Sequence, residues 1–576
     1  MKNVLFYLSV YFLLFTGCTK KIEFTVPVWH CLEIPFAAEK SYNNPIDGAE
    51  LCEMNVVFTH KDGTEILRPA FWDGENNFKV RFAPVKQGVW QYRTACKQDH
   101  SLDDIEGLVN AVEYIGDLNI YKHGFLTISD NKRYFIYNNG TPFFYLGDTH
   151  WSLPFEAFES SNIPGIESQF KHIVDTRIEQ GFTVFQSEPI QWKNHSGQDD
   201  IYDLTTFGAE DLGGFANLDR KFKYIADNGM VHANAQLFFA NELGVKKEMY
   251  THQYIENSTR YWVARYGAYP VMWTCAQEVD NDFYYDREND QRNFDAENNP
   301  WKIVAKALHK YDAYHHPLTA HMEYASGEAP NDGHGTIASN SSFKNIEGHN
   351  WYASQWSPSK EKQLDFRVPK DFWNSQPVKP TVNYEGQYDH FWTGTFGARM
   401  QGWTAFLNGM FGHGYGAAGI WLIINKYPDD MAGGYDLDRD TDAEITKEIK
   451  RMPWNEALVL PAAEQVGKNM RHFFESLDWW RLTPRFDDAG WSDLKGAYYS
   501  LATIEKNVFV CYFYNFGTIT GKLKNMSPGK SYTAQWFDPQ SGEYLSIGEI
   551  TSDSDGIWEI PAKPSDEDWV LLLRIS

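Results

Sequence analysis

The chain is short of positive charge. Its 52 Lys and Arg stand against 77 Asp and Glu, a net charge of −25. Such a surface has no means of neutralising a phosphate backbone, which excludes nucleic acid as a partner. Long apolar runs are missing after the first 15 residues, so nothing downstream reads as a membrane span. Cysteine is scarce and scattered, six residues without a CxxC or CxxxH spacing, so no zinc or redox motif is expected. Cys52 and Cys96 are candidates for pairing in an oxidising compartment, and spacing alone leaves that open. No GxGxxG or Walker loop follows a strand-like run, and no internal repeat is present. The Asn- and Asp-rich stretch 286–299 reads as a solvated loop, because oxygen ligands alone make a weak case for calcium. No metal and no cofactor is expected.

Aromatic residues, by contrast, are plentiful: 21 Trp, 33 Tyr and 39 Phe, 16% of the chain. Their faces serve equally as core filler and as platforms for sugar rings.

The first residues have the form of an export signal. Lys2 precedes an uncharged apolar run, Val4 to Phe15, too short to span a bilayer comfortably. Leu14-Phe15-Thr16-Gly17-Cys18 then resembles a bacterial lipobox. The expectation is a leader over 1–17, lipid on Cys18 and a body anchored to the cell envelope. A plain cleaved signal with an incidental cysteine is the rival.

Three folded units are expected. Over 23–116, short alternating runs such as Phe78-Lys79-Val80-Arg81-Phe82 are punctuated by turns such as Lys61-Asp62-Gly63, a β-sandwich pattern. From 121 to 474 short apolar strands alternate with helical stretches (166–180, 218–228, 257–266, 301–314), which indicates a parallel sheet with covering helices. That length suits a (β/α)8 barrel. From 480 to 576 the short-strand pattern returns as a smaller β-sandwich.

In a barrel, chemistry gathers where strands end at their C-terminal side. Acids stand just after apolar runs at Asp148, Glu188, Glu242, Glu278, Glu323 and Glu385. The favoured pair is Glu278 and Glu385, on the fourth and seventh strands and facing one mouth. Glycoside hydrolysis needs one carboxyl group to protonate the leaving oxygen and a second to attack or to activate water. Gln277 precedes Glu278 as a donor to a sugar hydroxyl, and Tyr384 precedes Glu385 as a donor to its carboxylate. For any single acid, a place near a helix start is the plainer explanation. Trp151, Trp192, Trp351 and Trp421 each stand near a strand end and are expected to line the sugar site. Asp148, Gln186 and His321 complete the expected contacts. His413 and Tyr415 in Gly412-His413-Gly414-Tyr415-Gly416 either donate to ring hydroxyls or belong to a tight turn whose glycines supply positive φ.

At these residues the chain resembles the apiosidase-like family of bacterial glycoside hydrolases. The matching stretches are Gly124-Phe125-Leu126, Tyr145 to Trp151, Gly181 to Gln186, Arg399-Met400-Gln401-Gly402-Trp403, Gly414-Tyr415-Gly416 and Trp421. The C-terminal Trp536 to Gly542 is similar to a module labelled collagen-binding, read here as support for the barrel. The resemblance implies a (β/α)8 catalytic domain, with Glu278 as acid/base and Glu385 as nucleophile. The family carries Asp preceded by Asn where this chain has Gln277-Glu278. It therefore implies the reaction type and leaves apiose as only a candidate sugar. Two other readings make different predictions: a non-catalytic glycan-binding or adhesion lipoprotein binds without turnover, and a polysaccharide lyase releases an unsaturated product. Oligomeric state is left open.

Overall fold

The computed structural model describes residues 22–193, 201–204, 206–235, 251–275, 279, 301–324, 345–356, 366–391, 393–426, 452–494, 499–514 and 517–576. Cys18, Gln277, Glu278, Glu242 and the stretch 286–299 lie outside them, as do the side chains of Trp192 and Glu323.

At the centre is a curled sheet of eight parallel strands: β1 (Tyr145–His150), β2 (Val184–Ser187), β3 (Val231–Asn234), β4 (Val271–Trp273), β5 (His321–Tyr324), β6 (Tyr352–Gln355), β7 (Thr381–Glu385) and β8 (Gly412–Tyr415). Spatially they run β4-β3-β2-β1-β8-β7-β6-β5. Strands buried on both faces alternate two kinds of apolar residue. Tyr145, Val184, Met272, Ala353 and Val382 meet on the inner face. Leu146, Phe185, Val271, Trp273 and Tyr352 pack outward.

The covering helices include α1 (Gln169–Glu179), α2 (Leu212–Asp227), α3 (His252–Tyr266), α4 (Trp301–Tyr311), α5 (Arg367–Asn374) and α6 (Thr395–Leu407). Side-chain oxygens cap two of them: Ser168 accepts from the Lys171 N–H and Thr251 from the Tyr254 N–H. Helices α2 and α3 begin at Leu212 and His252, before the expected 218 and 257, because Gly213, Gly214 and the polar Gln253 interrupt the apolar period there. The first sheet strand runs from Tyr145 to His150, so Asp148 lies inside it rather than after it.

The inner end beneath the strands is plugged by a small sheet, Leu126–Ile128, Phe135–Tyr137 and Pro142–Phe143. The N-terminal region has sheets of five and three strands sharing one core, with Val56 and Phe58 from one and Ile34, Phe36 and Val80 from the other. Its seam with the helices is ionic. Arg81 from the sandwich and Arg265 from α3 both grip Asp219 of α2, each at 2.7 Å, and Arg265 also reaches Asp73 at 2.9 Å. Burial works against the charge on Asp219, but the two guanidiniums hold its carboxyl well below the usual range. The C-terminal region has sheets of six and three strands. It docks on α6 through Arg399, which pairs with Asp568 at 2.6 Å.

Among the described residues no helix is long and apolar enough to cross a membrane.

Candidate active site

Glu385 is the last residue of β7 and is 2% exposed. Two neutral donors meet on its Oε1: the indole N–H of Trp151, at 3.2 Å, and the hydroxyl of Tyr388. The same indole N–H also donates to the Tyr388 oxygen at 2.5 Å. On the other side His321 Nε2 lies 3.3 Å from Glu385 Oε2. Burial pushes this imidazole down to about 3, so it faces the carboxylate as a neutral ring.

Aromatic rings complete the surround. Tyr384 packs against Trp151 and His321 with centroids 6.0 and 4.9 Å away. Trp421 stacks on Tyr388 at 4.6 Å and meets Phe391 edge-on at 5.0 Å. Burial, then the nearby charge of Glu188, pushes the Tyr384 hydroxyl well up, so it stays protonated. Glu188, just past β2, is itself buried.

The backbone around Glu385 is held by its neighbours. Gln401 of α6 accepts from the Gln387 N–H at 2.7 Å and donates to the Gln387 carbonyl at 3.0 Å. Asp389 donates its N–H to the Gly416 carbonyl and accepts from the Ala418 N–H, both at 2.8 Å. The Trp151 N–H reaches the Trp421 carbonyl at 2.9 Å, which ties the end of β1 to the segment after β8.

This packing explains the Gly-rich run. Gly412-His413-Gly414-Tyr415 is strand β8, and neither Gly414 nor Gly416 has positive φ. A Cβ on Gly414 would stand 2.0 Å from the Tyr384 carbonyl, and one on Gly416 2.1 Å from the Tyr388 ring. The glycines are required by close approach, and the tight-turn reading is set aside.

Trp151, His321, Tyr384 and Trp421 thus gather around Glu385. Five other candidates among the described residues lie elsewhere. Asp148 is inside β1 rather than after it, and its side chain points to the helix layer. There Arg177 Nε donates to it at 2.7 Å and His150 Nε2 lies 2.9 Å away. Gln186 faces inward, but its amide is spent within the sheet. It donates to Thr149 at 3.2 Å and the Tyr384 carbonyl at 2.9 Å, and accepts from Tyr145 at 3.0 Å. Trp351 precedes β6, so it sits at the opposite end of the sheet, edge-on to Phe135 of the plug. His413 pairs in register with the outward-facing Leu146 and lies by Gly402 of α6; Tyr415 donates to Asp389.

Sequence reasoning missed Tyr388 and Phe391. The available signal was an aromatic hydroxyl three residues after the acid in Glu385-Gly386-Gln387-Tyr388. Among the described residues no group of three or more His, Cys, Asp or Glu is placed to hold a metal ion.

A family model described as the apiosidase-like catalytic domain matches residues 129–481. A domain of unknown function matches 25–97, and a model named for the collagen-binding domain of a collagenase matches 492–574. A solved structure from Bacteroides vulgatus, assigned as a glycoside hydrolase, is similar at TM-score 0.66 and 15% identity, over 96% of this chain and 100% of that one. A second from the same organism, titled a glycoside hydrolase family 5 structure, has TM-score 0.58 and 17% identity, over 79% and 94%. At such identities the likeness speaks to the fold. No curated protein matches significantly.

Proposed function

The chain belongs to the apiosidase-like family and is a glycoside hydrolase; from that premise we propose that it cleaves plant- or algal-type oligosaccharides by a retaining mechanism, with Glu385 as nucleophile and Glu278 as acid/base. The observation that carries this reading is the setting of Glu385: buried at a strand end, with Trp151 and Tyr388 donating to one oxygen. Donors of this kind stabilise a carboxylate and aim it without neutralising it, as attack on an anomeric carbon requires.

Val279 supports the second role. It follows Glu278 in sequence, and its N–H donates at 3.0 Å to the carbonyl of His321, whose ring faces Glu385. In the proposed cycle Glu278 protonates the departing oxygen while Glu385 forms the glycosyl ester. Glu278 then takes the proton from the water that hydrolyses the ester.

A closed (β/α)8 barrel is part of this reading. The sheet edges, β4 and the segment entering β5, are supported as neighbours by a parallel bridge between Trp273 and Leu318. Two 2.8 Å bonds flank it, Trp273 N–H to Pro317 and Thr319 N–H to Trp273.

Export and lipidation at Cys18 are likewise proposed, on the leader pattern alone. Labelled fatty acid should enter the wild-type chain and not Cys18→Ala.

The test of function is a screen of the purified body against plant and algal oligosaccharides, with product stereochemistry followed by NMR. Retention of anomeric configuration is expected, along with a fluorosugar ester on Glu385 by mass spectrometry. Inversion, or an ester on another residue, would overturn the mechanism.

A further inference from the structure

Two thiols in the N-terminal sandwich stand apart from the other cysteines. Strand Met54–His60 pairs antiparallel with Gly88–Cys96, and Met54 faces Cys96 in the register. Cys52, two residues upstream, brings its Sγ to 3.5 Å from Cys96 Sγ, and both residues are buried in the sandwich core. A disulfide bond is about 2.05 Å long, so roughly 1.5 Å of sulfur approach separates this pair from one, within reach of small side-chain rotations.

We propose that Cys52 and Cys96 form a disulfide that staples the N-terminal sandwich beside its seam with the catalytic unit.

Contact with Cys52, and then the backbone N–H groups of Asp99 and Gln98, bring the Cys96 thiol down to about 7 against the effect of burial. The hydrogen bond to Cys96 and then burial push Cys52 up. Either thiolate can lead the exchange to the same products, here Cys96. As the sandwich folds, it attacks one sulfur of a disulfide-bearing oxidant and expels the first of its thiolates, leaving a mixed disulfide. Cys52 loses its proton to water and attacks Cys96 Sγ, and the second thiolate leaves. Two protein thiols are oxidised, and one oxidant disulfide is reduced to two thiols. Burial pushes the Cys31 and Cys275 thiols up, at Cys31 against the nearby Arg81.

The location gives the bond a consequence. The strand it anchors receives Arg260 of α3, whose guanidinium donates to the Met54 carbonyl at 2.7 Å and to Asn55 Oδ1 at 3.0 Å. Cys52, Arg260, Trp72 and Tyr261 line one cavity at this seam. Closing a loop of this length restricts the unfolded chain and so raises the unfolding midpoint of the sandwich.

The test uses the full chain refolded with oxidised glutathione, alkylated without reductant and digested with trypsin. The expected product links Ser41–Lys61 to Thr94–Lys97 and disappears on reduction. Reduction of the intact protein should lower the unfolding midpoint by about 10 °C and leave turnover unchanged. Cys96→Ser should reproduce that lowered midpoint and make it insensitive to reductant. Quantitative alkylation of both cysteines before reduction, or a bridge to any other cysteine, would overturn the proposal. A linked pair whose reduction leaves the midpoint unmoved would overturn its role as a staple.

Discussion

Asp148 and Glu385 are both buried carboxylates on neighbouring regions of one sheet, and their surroundings are opposite. Asp148 points out of β1 into the helix layer. There it and Glu156 are matched by Arg177 and by His150, which stands 2.9 and 2.8 Å from the two acids. Burial opposes the charge on His150, yet Glu156 and Asp148 outweigh it and push the imidazole up to about 9. Glu385 points the other way, and its described partners are a neutral indole, a phenol and a neutral imidazole. The outer acid is matched by a guanidinium and a charged imidazole; the donors described on the inner one are uncharged. On the proposed mechanism the difference separates a carboxylate that holds a fold from one that attacks substrate, although both stand near strand ends and both are buried.

The contrast can be broken most directly at Glu385. Glu385→Gln should lower kcat/KM by on the order of 10⁴-fold with a thermal midpoint close to wild type, measured on the oligosaccharide identified by screening. Asp148→Asn should do the reverse. It strands Arg177 and His150 with one partner fewer, costing about 3–5 kcal/mol in urea unfolding, while activity per folded molecule stays near wild type. A pH series sharpens the outer cluster. Because His150 is raised in the fold, its contribution is complete below about pH 6.5 and is lost as pH climbs through 9, up to about 3 kcal/mol. His150→Gln should flatten that part of the stability profile. Tyr388→Phe is the mildest test: losing one donor to the carboxylate should cut kcat by about 10- to 100-fold and leave unfolding unchanged. Equal losses of stability in Glu385→Gln and Asp148→Asn would erase the distinction.

What the sequence revealed follows from which signals are local. The apolar run into Glu385 announces a buried strand ending in an acid, and the structure has that strand. Asp148 depends on where β1 ends. The apolar run stops before the acid, while the strand itself continues to His150 and makes Asp148 a strand residue facing the helices. Trp351 turns on which end of a strand it occupies: it precedes β6, whereas Trp421 follows β8. His413 turns on strand parity, since β8 aims it outward with Leu146. Tyr388 depends on a loop folding back onto its own strand end, which Gln401 and Gly416 dictate from distant positions in the chain. Periodicity carries the layers, while single-residue register and long-range hydrogen bonds decide which side chains surround Glu385.

The ionic seam bears on how such enzymes can be recombined. Arg81 belongs by sequence to the sandwich, but the carboxylate it neutralises sits on α2, and Arg265 of α3 shares that carboxylate. A cut placed in the linker near residue 116 would leave the Asp219–Arg265 pair intact but strip it of Arg81 and Asp73. The transferable cassette is thus the sandwich and the catalytic unit together, and a chimera that exchanges the sandwich would have to supply an Arg and an Asp where Arg81 and Asp73 meet Asp219 and Arg265.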